Sequence, residues 1–143
     1  MTAWRLTLLL GLGCGTHGAP DLDQSLARYN GYVRLEQADS IAEMYTLNGE
    51  LLVPGRAPLQ GPDSIRAFLA AFTNVRVDSS AMWADSISVT DSGVVQWGGY
   101  FQIATVAGQP PMQASGHFVA LWLLSPDGHW FLRRMGTTNQ EPS

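Results

Sequence analysis

Lysine is absent from the sequence: all eight cationic side chains are arginines. A chain without lysine cannot form a Schiff base on a lysine amine. Nor can it build the phosphate-binding loop whose lysine reaches the β- and γ-phosphates. Charge of either sign is scarce. Charged residues make up 14 % of the chain, against roughly a quarter in an average soluble domain. The net charge is −4, so the chain lacks the clustered Lys and Arg on which affinity for nucleic acid rests. A single cysteine, Cys14, excludes an intramolecular disulfide and a cysteine-rich zinc site. The histidines are His17, His117 and His129. His17 precedes the expected domain, which excludes a three-histidine metal site within it. Neither a metal nor a cofactor is expected from this inventory.

What is present begins with a targeting signal. Arg5 supplies a positive charge, and Leu6–Gly13 is a short apolar run. The run is too short for a bilayer span, which needs about 20 apolar residues. A positive start, a short apolar stretch and small residues read as a secretory segment. Gly11-Leu12-Gly13-Cys14 resembles the lipobox of bacterial lipoproteins, although Gly11 stands where that pattern prefers leucine. The resemblance implies lipidation at Cys14, a bacterial envelope location and membrane attachment through the lipid alone. The alternative is a cut nearer Ala19, which Pro20 would hinder. The expected organisation is a signal segment and tether over 1–20, one α+β domain over 21–139 and a tail over 140–143.

Helical spacing dominates the first half of the domain. Leu22, Leu26, Tyr29 and Val33 fall on one helix face. Asp39 is the expected N-cap of a second helix over Ser40–Tyr45. Gly61-Pro62-Asp63 opens a third, with Pro at its first position and Ile65, Phe68, Leu69 and Phe72 as its stripe. Between the last two, Glu50–Val53 is a short strand. From Val75 the period falls to two. Val95, Trp97, Phe101 and Ile103 share one face of a strand, opposite Gln96, Tyr100 and Gln102. Gly98-Gly99 predicts a bulge or bend there. Gln113–Leu124 and His129–Thr137 are further strands. Helices first and then an antiparallel meander is an α+β order.

Three stretches carry a family likeness: Ile41–Tyr45, Gly61–Phe68, and Gly116–Val119 with Asp127–Leu132. They resemble the SnoaL-like branch of the nuclear transport factor 2-like superfamily. The resemblance implies a cone-shaped roll, a bent antiparallel sheet wrapped around an N-terminal helix with two further short helices. It also implies a cavity and, commonly, a homodimer through sheet faces. The superfamily includes ketosteroid isomerase, scytalone dehydratase and polyketide cyclases, so the fold predicts a pocket and no particular chemistry. Where ketosteroid isomerase carries its aspartate base this chain has Val53, which cannot accept a proton. Tyr32 is the soft match to that enzyme's oxyanion-stabilising tyrosine.

His117 is the candidate for proton transfer, since an imidazole titrates near neutral pH. The competing reading is a core histidine held by one hydrogen bond. Tyr29, Trp97 and Phe118 join Tyr32 and His117 as expected pocket residues. Trp83, Trp97, Trp122 and Trp130 are the aromatic stock for a ligand site, the core or a dimer face. Arg133 and Arg134 are expected on opposite faces, the inward one needing a carboxylate or a ligand anion. Asp85 and Asp39 are its conceivable partners. The function expected is an exported pocket-bearing domain that binds a small apolar molecule or a partner. The alternative is a cofactor-free isomerase, dehydratase or cyclase using His117.

Overall fold

The stripe of Leu22, Leu26 and Tyr29 is buried in a computed structural model that describes residues 18–140. It lies on helix α1, Gly18–Arg34. The signal segment, Cys14 and part of the expected tether lie outside the described residues. Helix α2 spans Ala38–Glu43 and buries Ile41 and Ala42. Its N-cap is Gln37. Asp39 therefore sits inside the first turn rather than capping it, and its carboxylate meets Arg66 Nε at 2.9 Å. Strand β1, Tyr45–Leu52, and the two-residue β2, Leu59–Gln60, lead to helix α3, Pro62–Ala70. Gly61 caps α3 at φ +84°, a left-handed conformation that suits glycine. Ile65 of α3 is fully buried. No helix among the described residues is long and apolar enough to cross a membrane.

Four long strands follow: β3 Val75–Thr90, β4 Gly93–Val106, β5 Met112–Leu124 and β6 Trp130–Asn139. The six strands form one bent sheet in the order β2-β1-β6-β5-β4-β3. The meander β3 to β6 is antiparallel, as expected. One pairing departs from that pattern. Strand β1 runs parallel to β6. The chain leaves β1 through β2 and α3, enters the sheet at the far edge as β3, and returns by three reversals. The last strand then has the direction of the first.

Helix α1 is pinned to β3 by a side-chain pair. Asn30 Nδ2 donates to the Ser80 carbonyl at 3.1 Å, and Ser80 Oγ donates to Asn30 Oδ1 at 2.7 Å. Beneath the helices the core is built on Phe118, Ala120, Trp122, Leu132 and Met135 of β5 and β6. Trp122 Nε1 donates to Gln96 Oε1 at 3.0 Å, which pairs two buried polar atoms.

The register of β4 on β5 sets the faces. Gln96 lies opposite Ala120, and Gly98 opposite Phe118. These residues point inward, and so does Tyr100 two positions on. The alternate set, with Trp97 opposite Val119, points outward. The apolar face read from the sequence is therefore the outer face, and the polar set lines the inside. Gly98 and Gly99 mark a close approach of strands. A Cβ on Gly98 would lie 1.8 Å from the Trp83 carbonyl oxygen, and one on Gly99 would meet the Trp83 indole at 2.3 Å. The irregularity expected there falls on the neighbouring strand, where the register shifts between Ala84 and Ser86.

A second shift, between Leu121 and Trp122, explains the arginine pair. It brings Arg133 and Arg134 to a single partner instead of opposite faces. Both donate to Glu50 Oε1, at 3.0 and 3.1 Å. The hydrogen bond from Arg133, then that from Arg134, holds the Glu50 carboxyl below its usual range. Neither Asp39 nor Asp85 is the partner.

Candidate functional site

Bending the sheet around α1 closes one end and leaves a cavity of about 750 Å³ at the other. That volume lies in the range of small-molecule sites, roughly 300–1,000 Å³. Its two sides differ in chemistry. The helices, β1 and the residue after it contribute apolar Val33, Ala38, Ile41, Leu51, Val53 and Leu69, beside Tyr29 of α1 and Glu36 just past it. The sheet contributes Ser80, Tyr100, Gln102, Thr137 and Asn139, all polar, together with Met82, Ala104 and Met135. The polar set comes from β3, β4 and β6.

Tyr29 of this wall is paired with a second buried tyrosine, Tyr45. Tyr29 Oη and Tyr45 Oη lie 2.9 Å apart, both buried, with rings edge-on at 66°. Burial pushes the Tyr29 phenol up, offset in part by its hydrogen bond to Tyr45. Tyr45 is pushed well above its usual value by burial, then by the Tyr29 charge and hydrogen bond. Both phenols stay protonated at neutral pH. Two hydroxyl protons serve one mutual bond, so one proton is left over. When Tyr45 donates to Tyr29, the Tyr29 proton is the one free to meet a ligand oxygen. Farther along the sheet, Tyr100 Oη donates to Asn139 Oδ1 at 2.6 Å, and burial raises the Tyr100 phenol.

The residues expected to line the cavity part company. Tyr29 lines it. His117 does not: it is exposed on the outer face, opposite Gly99 and Thr138. The expectation of a proton shuttle at His117 inside the cavity is corrected by strand geometry. Consecutive strand residues point to opposite faces, and Phe118 takes the inner one at 1 % exposure. Phe118 packs in the core beneath the cavity and is absent from its wall. Trp97 is 39 % exposed on the outer face, a further correction. Tyr32 packs half-buried against the core and is not on the wall. It lies three residues past Tyr29, off the Leu22–Leu26–Tyr29–Val33 stripe.

Reading the sequence missed Tyr45, Tyr100, Gln102 and Glu36. The first three had a signal. Tyr45 ends an apolar helical stretch, and Tyr100 and Gln102 alternate with apolar neighbours. Glu36 had none. Among the described residues no group of three or more His, Cys, Asp or Glu side chains is placed to hold a metal ion.

Comparison with solved structures identifies the architecture. The chain is similar to a ketosteroid isomerase-like protein from Erwinia carotovora atroseptica, with a TM-score of 0.79 and 18 % identity, covering 89 % of this chain and 99 % of that one. It is similar to ActVI-ORFA from Streptomyces coelicolor, with a TM-score of 0.70 and 16 % identity over 85 % and 96 % of the two chains. It is also similar to an NTF2-like protein with a cystatin-like fold from Novosphingobium aromaticivorans, at 0.67 and 18 %, covering 99 % and 94 %. No family model matches the sequence, and no curated protein matches it. The chain has the NTF2-like, ketosteroid isomerase-like fold, at identities that carry the fold and no activity.

Proposed function

We propose that this is an exported, pocket-bearing domain that binds a small, largely apolar molecule and holds one of its oxygens on Tyr29. The observation that carries this reading is the cavity itself: about 750 Å³, largely apolar on the helix side, with a phenol protonated at neutral pH on its wall. An apolar ligand gains by leaving water for the helix-side wall. Its oxygen would keep a hydrogen bond by accepting from Tyr29. The test is a titration with 1-naphthylmethanol, read by naphthalene fluorescence, on the native chain and on Leu51→Arg. Saturable binding that the arginine abolishes supports the pocket. Equal binding by both proteins would place the ligand elsewhere.

A second reading is favoured by the same tyrosine pair. A phenol backed by a second buried phenol can donate to an oxygen that gains negative charge during reaction. A cofactor-free isomerase, dehydratase or cyclase would use Tyr29 in that way. Isomerisation of a β,γ-unsaturated ketone to its conjugated isomer, followed by absorbance, tests it. Turnover that Tyr29→Phe removes supports an enzyme. Binding without turnover leaves a carrier or sensor.

Two further parts of the proposal rest on other observations. The segment ending in Cys14 supports export with a lipid anchor in a bacterial envelope. Intact mass decides it, because lipidation adds acyl chains that Cys14→Ser cannot carry. The outer sheet face exposes Trp83, Trp97 and Val119 side by side, which supports a homodimer that covers them. Val119→Glu should turn a dimer into a monomer in sedimentation. A native chain that is already monomeric at micromolar concentration removes this part.

A further inference from the structure

Glu36 is the one charged side chain on the cavity wall among the described residues; no Arg, His or Asp lines it. Its backbone is as unusual as its place. Glu36 has φ +56° and is the one non-glycine with positive φ among the described residues. It sits just past the end of α1, where a helix commonly closes through a left-handed residue and glycine is the usual choice. A side chain there carries a conformational cost. Non-glycine residues held in such conformations concentrate at ligand clamps and active sites.

The side chain is held where it could act. Glu36 Oε2 accepts the Val77 backbone N–H at 3.2 Å. Strand β3 is a sheet edge, so this N–H points away from the ladder, towards the helix turn. One carboxylate oxygen is thereby fixed to the β3 side of the wall, next to Val75 and Val77. The other makes no hydrogen bond or ion pair among the described residues. Arg34, two residues back, does not line the wall. Nor does Arg76, held by Asp78 at 2.7 Å, or Arg56, over the Phe68 ring at 4.6 Å.

We infer that Glu36 selects the charge class of the ligand: the cavity takes an apolar ring or chain that carries an amine, seats the ammonium on the free Glu36 oxygen, and turns away carboxylates. An ammonium gains an attractive partner there. A carboxylate of the same shape meets a fixed negative charge and finds no arginine or histidine on the wall. The inference deepens the ligand-binding reading and rests on it.

The test compares three naphthalene probes of one shape on the full chain at low salt: 1-naphthylmethylamine, 1-naphthylmethanol and 1-naphthoate. The alcohol reports the pocket, and the ratios report Glu36. The amine should bind about fivefold more tightly than the alcohol, the upper end for a solvent-exposed ion pair. The naphthoate should bind more weakly than the alcohol, and added salt should narrow both gaps. Glu36→Gln should bring the amine down to the alcohol. Glu36→Gly should do the same while raising the thermal midpoint, since glycine relieves the left-handed turn. Equal affinity for amine and naphthoate in the native chain overturns the inference while the pocket stands. So does a ratio that Glu36→Gln leaves unchanged. An alcohol that does not bind overturns the pocket reading, and the inference falls with it.

Discussion

Replacing Tyr29 by Phe tests whether the buried tyrosine pair is a coupled unit. The change removes one oxygen from a 2.9 Å contact and leaves the ring packing in place. What remains is the Tyr45 hydroxyl, in a residue only 3 % exposed. A buried hydroxyl stripped of its partner costs about 1–3 kcal/mol. Tyr45→Phe is the gentler change. It leaves Tyr29, a residue of the cavity wall that is 7 % exposed, so the expected loss is about 0.5–1.5 kcal/mol. The double variant removes both polar groups together. Its loss should fall below the sum of the two single losses by about 1 kcal/mol or more, because no orphaned hydroxyl is left behind. Urea unfolding followed by tryptophan fluorescence gives all four free energies at pH 7. Alkali gives an independent sign. Both phenols are raised above their usual 10.0, so the unfolded chain loses these protons first. The stability they contribute is complete below pH 10 and is lost as pH rises through the folded values. Tyr29→Phe/Tyr45→Phe should therefore lose less stability between pH 9 and pH 11 than the native chain. Strictly additive single losses, or an alkaline slope that the double variant leaves unchanged, would refute the coupling.

The two neighbouring glycines of β4 should respond differently to alanine. At Gly98 the new Cβ meets backbone that cannot turn aside, so Gly98→Ala should cost about 1–3 kcal/mol or more in urea. At Gly99 it meets the Trp83 ring, so Gly99→Ala should displace the indole and shift tryptophan emission with a smaller loss. Acid should loosen the join between β1 and β6. The Glu50 carboxyl is held below its usual 4.5 by Arg133 and Arg134, so its contribution is present above pH 4.5 and is lost as pH falls through the folded value. Glu50→Gln should flatten that part of the acid unfolding curve, and an unchanged curve would count against the pairing. Phe118→Ala should cost about 3–5 kcal/mol, and a loss below 1 kcal/mol would show that Phe118 is not in the core.

Local periodicity was enough to place the three helices and the meander. Leu22, Leu26, Tyr29 and Val33 recur at the helical period, and Gly61-Pro62 announces α3, because both signals lie within one element. Strand alternation is also local, so the sequence tells correctly that Trp97 and Phe101 share a face and that Gln96, Tyr100 and Gln102 share the other. It cannot say which face turns inward. The usual guide, apolar inside, fails here for a physical reason. The inner face covers a core only near Trp122 and Phe118. Farther along it borders a cavity, where polar side chains can meet water or ligand, and the apolar set is left outside. Phe118 goes inward, and His117 must then go outward. Only the tertiary structure decides contacts between distant segments. Tyr29 finds Tyr45 because α1 packs over β3 and β6 of the bent sheet, and Glu36 reaches Val77 because β3 is an edge strand with an N–H to spare. Each pairing depends on where the bent sheet brings its edge against the helices, which no short-range pattern encodes.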